Sequence, residues 1–156
     1  EGHEKCLREQ GYEIAPVTLD NSDWMFAAVY GRGDDAMKVK VKREYLDYME
    51  RIFAFYEDRA IDVFGRAIPH VLLIHANQLN ADTMPELLAM MRRRGYAFVP
   101  LQEAMADAAY RTADNHLGQY GPSWLHRWAV TKGGAKKNEP DEPAWVMEEF
   151  KKLQGR

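Results

Sequence analysis

Two short stretches of the chain carry the side chains best suited to acid/base chemistry. Asp20-Asn21-Ser22-Asp23-Trp24 follows the apolar run Tyr12 to Leu19, and His75 closes the run Val71-Leu72-Leu73-Ile74. An imidazole with an ordinary pKa of about 6.5 can give or take a proton near neutrality. A carboxylate that accepts a hydrogen bond from the ring would fix its tautomer and favour its charged form. By position alone His75 reads equally well as a general acid or base and as a strand-end histidine satisfied by backbone carbonyls. Asp20 suits a turn, because Asp-Asn-Ser is also turn chemistry, which leaves Asp23 as the partner for His75. Trp24 could wall an apolar pocket beside them, although so large a ring is more often core.

Other candidates carry less. His70 opens its apolar run at the end away from the presumed site and reads as structural. His116 and His126 have no ligand-like spacing to a second histidine, and His3 sits near the chain start, so no metal site is read from them. Ser22 and Ser123 lack the strand-turn-helix setting of a nucleophile elbow. Gly31-Arg32-Gly33 is too poor in glycine for a phosphate loop.

The elements that would position these residues repeat a rhythm in which a helical segment closes on glycine and an apolar run follows. Gly11 precedes Tyr12 to Leu19, Gly65 precedes Ile68 to His75, and Gly95 precedes Tyr96 to Leu101. Such a glycine supplies the left-handed residue of a helix C-terminus, and the pattern predicts the order α, β, α, β, α, β, α of a parallel α/β fold. Tyr45, Met49, Ile52, Phe53 and Tyr56 form an apolar stripe at helical spacing, predicted to face a sheet. Thr83 and Glu86 have capping-box spacing before Leu87, Leu88 and Met91. Val71 to Ile74 reads as a central strand buried on both faces, and Leu101 to Tyr110 as a short helix. From Arg111 to Gly134 the glycines 118, 121, 133 and 134 and Pro122 surround Trp124-Leu125-His126-Arg127-Trp128, predicting an irregular extension. A polar linker from Lys136 leads to a last short helix over Pro143 to Leu153. The domain reading is therefore 1–110 for the α/β part and 111–156 for the extension and tail.

Composition bounds the function class. The 156 residues suit one domain, 46% hydrophobic and 29% charged, with net charge -3, and the pI near 6.0 argues against a nucleic-acid partner. The basic clusters at Arg92-Arg93-Arg94 and Lys136-Lys137 read as solvated charge. Cys6 is the single cysteine, so an internal disulfide and a cysteine-based zinc site are both excluded. No run approaches the roughly 20 apolar residues of a membrane span. No signal peptide is read in the chain, and its compartment stays open.

The two stretches together resemble polysaccharide deacetylases, the NodB-homology carbohydrate esterases. Asp20-Asn21-Ser22-Asp23-Trp24 is similar to their Asp-x-x-Asp-Trp motif, and Val71-Leu72-Leu73-Ile74-His75 to their Leu-x-Leu-x-His motif with valine first. These are the fourth and fifth of five motifs, and the resemblance spans about Gly11 to Tyr110. It implies α/β architecture: the C-terminal half of a distorted, TIM-like (β/α) barrel with parallel strands, followed by the irregular extension. It also implies metal-dependent removal of acetyl groups from an N-acetylated or O-acetylated polysaccharide or oligosaccharide. His75 would be the general acid and Asp23 the carboxylate that tunes it, with Trp24 and Leu73 lining the pocket for the acetyl methyl. The family's base aspartate, metal-binding aspartate, two metal-binding histidines and pocket arginine have no counterpart here. The divalent metal, expected to be zinc, would thus have its ligands outside this chain. Glu1 to Gln10 resembles the helix after the third motif. The implied partner is then the missing N-terminal half of the domain, or a second copy. An alternative is a non-catalytic carbohydrate-binding or assembly module using Trp124 and Trp128, rings whose sequence context favours packing over sugar stacking. A further alternative is another barrel hydrolase that uses Asp23 and His75 differently.

Overall fold

The computed structural model describes residues 2–116, 123–135 and 137–155, with residues 2–4 as backbone only. Gly118, Gly121, Pro122, Lys136, Glu1 and the side chain of His3, all singled out by sequence, lie outside the described residues. The chain is 62% helical and has no sheet among the described residues. Its helices are α1 (Gly2–Glu9), α2 (Asp23–Arg32), α3 (Asp35–Phe64), α4 (Gln78–Arg93), α5 (Leu101–Met105), α6 (Trp124–Thr131) and α7 (Ala144–Gln154), with a 3-10 turn over Ala108–Arg111. None is long and apolar enough to cross a membrane.

The 30-residue α3 is the spine of the molecule. Asp34 caps its start by accepting the Met37 N–H, and Gly65, at φ 70°, ends it in the left-handed region. Tyr45, Met49, Ile52, Phe53 and Tyr56 are almost completely buried. The stripe read from their spacing is therefore the core face of α3, but it packs on helices and loops instead of a sheet. Phe26 of α2 lies 5.4 Å from the Tyr45 ring and 5.1 Å from Tyr48. From the other side Trp128 of α6, fully buried, meets Phe64 at 5.8 Å and Tyr110 at 5.5 Å.

The expected α/β half barrel is overturned, and with it the TIM-like architecture. The apolar runs ending at Leu19 and His75 lie side by side in parallel but share a single bridge, Leu19 to Leu72. At that bridge the Leu19 N–H donates to the Val71 carbonyl at 3.0 Å and the Leu73 N–H to the Leu19 carbonyl at 3.1 Å, and side chains carry the pairing beyond it. Thr18 Oγ1 accepts the Val71 N–H at 2.9 Å, Asn21 Nδ2 donates to the Leu73 carbonyl at 2.6 Å, and Asp23 Oδ2 accepts the His75 N–H at 2.8 Å. The Val17 carbonyl, which the next pair would use, accepts the Trp124 N–H at 2.8 Å instead. The run 96–100 forms no strand and leads through Pro100 into α5. Val71 to Ile74 is accordingly not a buried central strand: Leu73 is 39% exposed and its three neighbours are half-buried.

Several local readings change as well. Gly11, Gly65 and Gly95 do have positive φ, so the helix ends were placed by the right residues. Thr83 caps nothing: α4 begins five residues earlier, with Asn77 accepting the Asn80 N–H, and the Thr83 hydroxyl donates to the Leu79 carbonyl inside the helix. A helix, α6, occupies the expected irregular extension, with Ser123 accepting the Leu125 N–H at its start. Arg94 is not simply solvated, because it holds Glu57 through two bonds and Glu50 through one.

His70 sets a pH dependence. Its Nδ1 lies 3.2 Å from Thr18 Oγ1, and burial, opposed in part by the nearby Glu57, pulls its pKa down to about 4. In the unfolded chain the ring takes up its proton near the ordinary value of about 6.5. Between these values only the unfolded state binds the proton, so the stability is complete above pH 6.5 and falls toward pH 4. We expect His70→Asn to flatten this slope, by at most about 3 kcal/mol across the window. Chemical denaturation of both proteins at several pH values measures it, and parallel curves would remove His70 as the cause.

Candidate functional site

Asp23, the first residue of α2, is 1% exposed. A carboxylate there faces the positive end of the helix dipole. Its own N–H is bonded to Asn21 Oδ1 at 2.9 Å, which fixes the turn into α2. Oδ1 receives His75 Nδ1 at 2.7 Å. Oδ2 receives the His75 N–H at 2.8 Å and Asn80 Nδ2 at 2.6 Å, with Asn77 Nδ2 at a longer 3.4 Å. The three amide groups at Oδ2 all present a hydrogen, and against an ionised Asp23 it is Nδ1 of His75 that donates at Oδ1.

The His75 side chain is 53% exposed, and its Nε2 has no partner among the described residues. The ring borders an open hollow of about 610 Å³ with Ile74, Asn77, Gln78 and Met84 on its walls. A buried acid thus orients a ring whose other nitrogen meets solvent. That arrangement can pass one proton at Nε2.

The remaining site residues read from sequence are placed unequally. Leu73, two residues before His75, is exposed and does not line that hollow. Trp24 is 46% exposed and packs edge-on against Phe150 of α7, ring centroids 5.0 Å apart; no ring contact joins it to His75. Asp20 accepts the Asn21 N–H at 2.9 Å, a turn role, and burial raises its carboxyl pKa despite that bond. Ser22 Oγ donates to Glu142, and Ser123 Oγ to the Thr18 carbonyl. His126 is buried against Glu139, 3.1 Å away. Trp128 is buried, and the half-buried Trp124 packs on it at 5.8 Å with Arg127 over the Trp124 face. Among the described residues no three His, Cys, Asp or Glu side chains gather as a metal-binding group.

Sequence reasoning missed Asn80 and Tyr45. Asn80 lies just past the apolar run that ends at His75, and Tyr45 lies in the apolar stripe. Two signals were present: Asn77 and Asn80 have the spacing of a helix N-cap and its third residue, and a fully buried tyrosine needs a partner for its hydroxyl. No family model, curated protein or solved structure matches this chain.

Proposed function

We propose that this chain supplies the proton-donating pair of a metal-dependent polysaccharide deacetylase. The observation that carries the reading is the 2.7 Å bond from His75 Nδ1 to the buried Asp23, with Nε2 open to solvent. The two motifs that hold these residues resemble that family's in residue type and order. His75, protonated at Nε2, gives that proton to the leaving nitrogen or oxygen of an acetylated sugar as the acyl bond breaks. Water supplies the hydroxyl that makes the acid product, so acetate and the free amine or alcohol leave together. Asp23 stabilises the ring while it is charged and holds it in place when it is not.

The residues described here do not fit a divalent ion, and no step is assigned to one. In this reading the ion's ligands and the base lie on a partner, either the remainder of the domain or another polypeptide. The exposed apolar side chains Phe98, Val99 and Leu101, which line one hollow, support such an association, since single apolar side chains are common on surfaces but adjoining ones usually mark an interface. The 156-residue chain alone is expected to release no acetate from an acetylated oligosaccharide, with or without added divalent metal. Turnover by the purified chain would overturn this division of labour.

A further inference from the structure

We infer that Asn80, locked in one orientation by Tyr45, is a positioning residue that sets which nitrogen of His75 carries the proton. Asn80 is 3% exposed and lies in the first turn of α4. Its amide is fully used: Nδ2 donates to Asp23 Oδ2 at 2.6 Å and to the His75 carbonyl at 2.8 Å, and Oδ1 accepts the Tyr45 hydroxyl at 2.7 Å. The two groups facing Nδ2 are acceptors only, so a flipped amide would set oxygen against oxygen at both. Tyr45 is fully buried. Burial, then the charge of Asp23, pushes its pKa far above the ordinary tyrosine range, so it keeps its hydrogen and donates.

The direction of every bond then follows from Tyr45 through Asn80 to Asp23. With Asp23 Oδ2 occupied by Asn80 and the His75 N–H, Oδ1 is left to the His75 ring. A carboxylate oxygen held there admits the Nδ1–H tautomer and rejects Nε2–H, whose bare Nδ1 would face it. Asn80 also holds the His75 main chain through the carbonyl, so one side chain fixes both members of the pair. Asn77 reaches the same oxygen only at 3.4 Å, a weaker contact than that of Asn80.

The catalytic meaning of this control rests on the proposed acid/base reading, whereas the control itself is measured without turnover. Ring nitrogen shifts of 15N-labelled protein, followed upward in pH until they no longer change, identify the tautomer of the neutral ring. Wild type is expected to show His75 as Nδ1–H. Asn80→Leu is expected to move the tautomer ratio toward Nε2–H, the form a free imidazole prefers, by about tenfold, the worth of one charge-assisted hydrogen bond. Tyr45→Phe removes only the hydroxyl, keeps the ring packing, and is expected to shift the ratio in the same direction by less. Should Asn80→Leu fail to fold, Tyr45→Phe carries the test. A wild-type Nε2–H ring, or a folded variant with an unchanged ratio, would overturn the inference. An absence of deacetylase activity would count against the proposed function and leave the tautomer result standing.

Discussion

Replacing Asp23 by alanine is expected to cost the fold about 3–4 kcal/mol, which for a chain of this size lowers the thermal midpoint by roughly 10 °C. The loss comes from donors left behind. Asn80 Nδ2 and the His75 N–H lie in a region that Asp23 shares with buried Tyr45 and Asn80, and each unpaired buried donor costs about 1–3 kcal/mol. His75 Nδ1 adds little, because its half-exposed ring finds water. Asp23→Asn should cost less, about 2 kcal/mol: it keeps one acceptor and turns an NH2 group toward donors. Melting followed by far-ultraviolet circular dichroism measures both. A midpoint for Asp23→Ala within about 2 °C of wild type would mean that the carboxylate is not a structural anchor. The same residue would then have to be explained by its chemistry alone.

The pairing of Asp23 with His75 was more legible in the sequence than the fold around it. Asp23 and His75 could be paired from residue type and position, and the 2.7 Å contact between them is formed. What the residues could not reveal is how their backbones meet. A short apolar run such as Val71 to Ile74 has the same pattern whether it pairs along a ladder or only once. Here Thr18, Asn21 and Asp23 take the hydrogen bonds through their side chains, and the chain turns into α2 before a second strand residue can pair. The acidic turn that looked like a loop past a strand is the start of that helix. Helix faces and ends were easier, because the α3 stripe and the glycines after α1, α3 and α4 depend on local spacing and on φ. The α6 segment was hidden by its surroundings: glycines on both sides masked Ser123 as a cap and the burial of Leu125 and Trp128. Asn80 escaped for a different reason, since its partners come from α2, α3 and the His75 segment, none of which sequence spacing places together.

His75→Ala should separate the chemistry from the anchoring. On the proposed deacetylase reading, with this chain joined to a metal-bearing partner, the substitution is expected to lower kcat by about 10²–10⁴-fold, the usual worth of a positioned general acid. Metal content should not change, and neither should stability by more than about 1 kcal/mol, since the ring is half exposed and gives up one hydrogen bond. Acetate release from an N-acetylated oligosaccharide, with metal analysis on the same preparation, measures the first two. The leaving group supplies the control. An amide nitrogen must gain a proton before it departs as an amine, whereas a phenolate leaves an aryl acetate unaided. The deficit of His75→Ala should therefore shrink to about tenfold or less on an aryl ester. An equal deficit on both substrates would show that His75 acts on the attacking or binding step and not on the leaving group. Loss of the metal would make it a ligand, and the pair with Asp23 would then orient a metal-binding ring instead of a proton donor.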